Sequence, residues 1–322
     1  MPSPKDSQGS ESPLDLDAVR DWISSEGYPM EMRVARDFRT EKFNVIPQAY
    51  YVDDVTAELR ETDVLATRAL SVGGSLIVLL HVVAECKYIR REAPWVGLSQ
   101  GSDAVDSFRV FPRLASPGGL LLLNLIEKRP GVVELPLFAL PKRIAYGLVE
   151  AFSKPKKNRK PTTRTGVLGA GRAQVFSKPN QDRGPSSPPQ PKDDSAHSAV
   201  RQLMASARSR TSLFRGTLTD KLAVIEIVVP ALVVNGPLLE LEMNHEGEAD
   251  IRPVDSLLLA LNTYGAGNEL GKTVPVTFIQ LVQEKDVPMF ARGIMNSLDW
   301  IRDNCQQELE AVAEMLLKKS TN

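Results

Sequence analysis

Apolar positions along this chain change their period several times, and each change predicts an element. Leu16, Val19, Trp22 and Ile23 recur at helical spacing over residues 15–25, with Gly27 placed to end the helix. A second helix starts near Pro29, a residue suited to a first turn. Met30, Val34 and Phe38 form its buried stripe. Three strand-like segments follow: "FNVIPQAYYV" (43–52), "AELRETDVLATRAL" (57–70) and "SLIVLLHVVAECKY" (75–88), the last two separated by a Gly73-Gly74 turn. The pattern is thus a helix and then an antiparallel run of strands. "PWVGLS" (94–99) fits a fourth strand. "GLLLLNLIEK" (119–128) and "PKRIAYGLVEAF" (141–152) read as helices.

The pattern resumes with a helix at "SAVRQLMASARS" (198–209). Residues 221–244 read as two strands joined near Asn235-Gly236, and "VDSLLLALN" and "TVPVTFIQLV" as two more. From about 286 to 318, Phe290, Ile294, Leu298, Ile301, Leu309, Val312 and Leu316 lie on one helical stripe. These elements predict an α/β fold: a mixed central sheet flanked by helices. The expected division is a disordered tail at 1–13, a core at 14–152, a basic linker or loop at 153–195, and a β/α part at 196–322 that completes or extends the domain.

The linker stands out by composition. Residues 153–192 are rich in Pro and Ser and hold ten Lys/Arg against one acid, Asp182. With few large apolar side chains they cannot offset the entropy of ordering. The formal net charge of the whole chain is −1, so the remainder carries about −10. The two cysteines, Cys86 and Cys305, are far apart and suggest a reducing compartment and no disulfide framework. The first residues lack an apolar signal core, and the longest apolar runs, such as "LIVLL" (76–80), are too short to span a bilayer. A cytoplasmic, non-membrane protein is expected.

The chemistry concentrates where the third strand ends. Strand alternation puts Glu85 and Lys87 on one face and Cys86 on the other. A hairpin brings Asp63 of the preceding strand beside Glu85. Two carboxylates form a hard oxygen site suited to Mg²⁺ or Mn²⁺, and a neighbouring lysine can orient an attacking water or help deprotonate it. Glu31, in the first turn of the second helix, could be aimed at the same place. Each residue also has a plain reading. Glu-x-Lys can be the solvated rim of a strand, Glu31 is favoured by the helix dipole, and Asp63 can terminate a strand.

Taken together, "PMEMRVARDF", "YYVDD", "RETDVLA" and "AECKY…PWV" resemble the nuclease core of the restriction-endonuclease-like superfamily, with its PD-(D/E)xK signature. The likeness is to an uncharacterised branch distantly similar to type IV restriction enzymes and archaeal junction resolvases. It covers about residues 28–98, with Thr62 where the signature has proline. It implies Asp63 and Glu85 as metal ligands, Lys87 as the catalytic lysine and Glu31 as the helix acid. The expected function is metal-dependent hydrolysis of phosphodiester bonds, as a DNA endonuclease in defence or repair, with a homodimer if both strands are cut. The alternative is a catalytically inactive relative serving as an interaction module.

A polyanionic substrate calls for positive charge. Lys154, Lys156, Lys157, Arg159 and Lys160 could supply it from the linker, with Arg201, Arg208, Arg210 and Arg215 adding more near the next helix. His81 and Cys86 read as core residues. His197 and His245 lack ligand-spaced partners. "GVLGAGRA" (166–173) follows no strand and reads as flexible chain.

Overall fold

The most apolar part of the chain forms the middle of the sheet. The computed structural model describes residues 15–25, 28–53, 56–99, 114–138, 144–152, 195–211, 217–219, 221–244, 246–262 and 276–320. Strand β3 (Leu76–Tyr88) and strand β8 (Leu222–Asn235) run parallel, in unbroken register from Leu76↔Ala223 to Tyr88↔Asn235. Both are buried on their two faces along nearly their whole length, which is why their sequences show a continuous apolar run and little alternation.

Around this pair stand β1 (Asn44–Val52), β2 (Leu59–Val72), β4 (Trp95–Ser99), β5 (Leu114–Ala115), β6 (Ile144–Glu150), β7 (Thr217–Thr219), β9 (Leu238–Met243), β10 (Ala249–Pro253), β11 (Ser256–Asn262) and β12 (Val276–Gln283). The sheet order is β1-β2-β3-β8-β12-β11-β6-β4-β9-β10, with β5 and β7 pairing onto β8. Parallel and antiparallel neighbours alternate irregularly, so the sheet is mixed. Pro230 lies inside β8 but cannot donate to a ladder. It falls between the segment flanked by β5, up to Val228, and the segment flanked by β12, from Ala231.

Helices cover both faces. Helices α2 (Tyr28–Thr40), α3 (Pro117–Ile126), α5 (Val287–Asn304) and α6 (Gln306–Ser320) share one apolar cluster with the even-numbered residues of β3, from Leu76 to Cys86. Helix α4 (Ser195–Thr211) lies on the other face, with Leu203 and Ala207 packed in a cluster containing Val83, Val228 and Leu232. Helix α1 (Leu16–Ser25) sits beside α2, where Trp22 meets Tyr28. None of the helices among the described residues is long and apolar enough to cross a membrane.

The mixed sheet with flanking helices is the fold class that the hydrophobic pattern predicts. The α2 stripe of Met30, Val34 and Phe38 is buried as expected. Two expectations need correction. The segment 141–152 is not a helix: Ile144–Glu150 form strand β6, hydrogen-bonded between β4 and β11. Ala145 and Leu148 are buried there, a three-residue spacing that a helix would also give, so pairing with neighbouring strands decides. The C-terminal stripe is split into α5 and α6 at Cys305, whose backbone leaves the helical region. The expected tail (1–13) and the segment 153–194 lie outside the described residues.

The Asn235-Gly236 joint is not a hairpin turn, since β8 pairs with β3 and β9 with β4. Ile89 N donates to Asn235 O at 2.8 Å, which draws the chain after β3 against this joint. Gly236 has φ of 139°, and a Cβ there would stand 2.2 Å from the carbonyl oxygen of Ile89. Gly236→Ala is therefore expected to lower the unfolding free energy by about 3 kcal/mol in urea melts, through strain and the backbone clash. A change within about 0.5 kcal/mol, the range of neutral surface substitutions, would mean that the joint can shift freely.

Candidate active site

Strands β2 and β3 pair from Val72↔Leu76 to Val64↔Ala84 and then part. Beyond that point β2 stays with β1, from Ala49↔Thr62 to Val52↔Leu59, and β3 stays with β8. The sheet thus opens into a fork. Asp63 stands at its apex on one prong, Glu85 and Lys87 on the other.

A swap of faces makes the fork. Leu65 packs in the cluster under α4, yet Thr62, three residues earlier, also reaches α4, where its Oγ1 bonds Ser206 Oγ. Strict alternation would put residues three apart on opposite faces. Strand β1 shows the same break: Val45 belongs to the α2-side cluster and Ala49 to the α4-side one. Between them Gln48 has φ of 51°, the left-handed region, and no Gln48↔Asp63 pair joins the ladder. Both strands turn over at this level, as a β-bulge does.

The fork leaves a donor to satisfy. Cys86 N–H no longer has a β2 carbonyl and donates instead to Asp63 Oδ2 at 2.7 Å. The Asp63 carboxylate thereby occupies the gap in the ladder. Glu85, on the α4 side with Val83, has a side chain only 1% exposed, and Lys87 Nζ donates to its Oε1 at 2.6 Å. Glu85 Oε2 is buried with no hydrogen-bond partner. Tyr51 lines the same side, its hydroxyl donating to Gln202 O of α4 at 3.4 Å. Burial pushes the Tyr51 phenol up, and the charge on Glu85 reaches it.

Negative charge outweighs positive charge here. Burial raises the Glu85 carboxyl to about 8, with Asp63 and Glu31 adding to the effect and Lys87 opposing it. Burial also raises Asp63, against the Cys86 N–H and Lys87. Glu31 is pushed up to about 7, first by partial burial and then by Asp63 and Glu61, with Lys87 opposing. Burial works to lower Lys87, but Glu85 and Asp63 reverse this and hold the ammonium protonated. The fork therefore brings Asp63, Glu85 and Lys87 together. Glu31 joins their electrostatic neighbourhood from the α2 layer, on the other side of the sheet from Glu85.

The donors suit a hard cation. An unpartnered buried carboxylate oxygen and three acids with raised pKa values call for positive charge. Mg²⁺ is commonly held by one or two carboxylates while keeping several waters, and Asp63 with Glu85 matches that set. Among the described residues no group of three or more His, Cys, Asp or Glu side chains could enclose a metal ion alone.

Other sequence candidates fall as follows. His81 is buried in the sheet, its Nδ1 bonded to Thr67 Oγ1 at 2.9 Å and its Nε2 3.4 Å from Glu226 Oε1. Cys86 is buried, and burial lifts its thiol well above the usual range. Lys154, Lys156, Lys157, Arg159, Lys160, Arg215, His245 and the 166–173 segment lie outside the described residues. Glu61, Tyr51 and the α4 roof were not anticipated. Glu61 was accessible by alternation from Asp63, whereas Tyr51 and α4 reach the site only through long-range packing. Comparison with protein-family models, curated proteins and solved structures returns no match.

The raised Glu85 pKa sets a pH dependence. A carboxyl whose folded value lies above its unfolded value of about 4.3 disfavours the folded state once it must ionise. That penalty is absent at low pH, grows as pH rises past the unfolded value, and is complete above about 8. Glu85→Gln removes it. The attraction of Lys87 appears only as Glu85 ionises and is already part of the value of about 8, so it adds no separate pH dependence. Urea midpoints should therefore show the variant gaining on the parent steadily from pH 5 to pH 8.5, without added metal. A difference that stays flat over this range would contradict the burial effect.

Proposed function

We propose that this chain is a metal-dependent nuclease of the restriction-endonuclease-like type, acting as a DNA endonuclease in defence or repair. The observation that carries this reading is the strand fork, where Asp63, Glu85 and Lys87 meet at a charge-deficient, partly buried point with Glu31 nearby. Asp63 and Glu85 would hold Mg²⁺ (or Mn²⁺). Bound there, the ion would polarise the phosphodiester and acidify the attacking water.

The chain's own groups then have separate tasks. Cys86 N–H fixes the Asp63 carboxylate at the apex. Lys87, one-third exposed, can turn its ammonium from Glu85 towards the substrate, orient the water and steady charge on the phosphoryl oxygens. With no metal bound, Glu85 and Asp63 keep its ammonium protonated. Cutting both strands of a duplex would require two copies of the site, hence a homodimer.

A non-catalytic reading draws support from the Lys87–Glu85 contact, which already neutralises one of the two acids. Nicking of supercoiled plasmid with Mg²⁺ separates the two. Lys87→Ala should slow nicking about 100-fold or more while metal binding, followed by calorimetry, largely persists. Asp63→Ala should lose metal first and activity with it. Lys87→Arg should keep part of the activity if charge alone matters. A Lys87→Ala protein that nicks as fast as the parent at saturating Mg²⁺ would end the nuclease reading.

A further inference from the structure

Helix α4 roofs the fork and differs in charge from the rest of the described chain. It carries Arg201, Arg208, Arg210 and His197 and not one acid. The other described helices that bear charged side chains all include acids. At about 100° per residue, His197, Arg201 and Arg208 fall within about 40° of one another on the helix, and all three are exposed. The opposite face, with Ala199, Leu203 and Ala207, is packed on the sheet. Arg210 lies off this stripe, half-buried within reach of the Glu226 charge.

The stripe is tied to the candidate site. Tyr51 bonds Gln202 O, and Thr62 bonds Ser206, so the helix is fixed to the residues that flank Glu85 and Asp63. Arg201 and Arg208 are seven residues apart, about 10 Å along the axis, which is near the rise of three phosphates on one DNA strand. Along the chain, Asp193 and Asp194 separate α4 from the basic run of 153–192, so the positive charge of its outer face is the helix's own.

We infer that the outer face of α4, with Arg201, Arg208 and His197, docks the phosphate backbone of double-stranded DNA flanking the phosphodiester at the fork. The choice of ligand rests on the nuclease reading. The acids beneath α4 attract a cation, and the arginines above it attract the polyanion that the same acids would repel. The contact is to phosphates and is independent of base sequence.

The test measures binding of the full chain to a fluorescein-labelled DNA duplex by anisotropy, in EDTA and across a salt series. Arg201→Ala/Arg208→Ala should weaken binding at least tenfold at low salt and make the slope of log K against log salt shallower by about 2. Lys318→Ala, on α6 across the sheet, should change neither. Circular dichroism and Tm check that the double variant is folded; if it unfolds, Arg208→Gln alone should still make the slope shallower by about 1. Parent-like affinity and slope in a folded variant would overturn the proposal, as would a parent that binds heparin but not DNA. A parent that nicks plasmid while the double variant binds unchanged would remove the α4 surface and leave the nuclease reading. A parent that never nicks, but binds DNA through the two arginines, would do the reverse.

Discussion

Glu85 is a carboxylate near the end of a largely apolar strand, and the local structure is organised around burying it there. An ionised carboxylate taken out of water costs several kcal/mol unless it is answered by charge or hydrogen bonds. Lys87, two residues on and on the same face, answers one oxygen. The other oxygen is left without a partner. Asp63 sits close enough to worsen the deficit, yet it is held in place by the Cys86 N–H. Such an arrangement works against stability, because the burial of Glu85 is only half answered.

The fork and the roof depend on opposite ends of the chain. The fork is made by β1 and β2, which turn over at Gln48 and Asp63 and leave β3 one neighbour short. The roof is made by α4, and the floor is completed by β8, both from the second half of the sequence. Thr62 and Tyr51 link the two halves through Ser206 and Gln202. The site therefore draws on both halves of the chain, and residues 28–98 alone lack the α4 roof and the β8 neighbour.

Charge is distributed by layer. Acids gather at the fork inside, while the outer face of α4 is basic. A low overall net charge conceals this separation. Local fields over a distance of about 10 Å matter more than the sum for a ligand that reaches both layers.

By itself the sequence determined the local features. The period of Met30, Val34 and Phe38 specified the buried face of α2, the apolar runs specified β3 and β8, and alternation put Glu85 and Lys87 together with Cys86 opposite. These follow from short-range geometry that the chain cannot escape. Tertiary structure alone decided the rest. Segment 144–150 became a strand because β4 and β11 offered it hydrogen bonds, although its apolar spacing also suits a helix. The face swap at Gln48 and Asp63 leaves no mark in composition, since it rests on one left-handed residue and on a helix more than a hundred positions away. Whether Glu85 is a solvated rim or a buried acid was likewise open until α4 closed over it, because burial is a property of what packs against a residue and not of the residue.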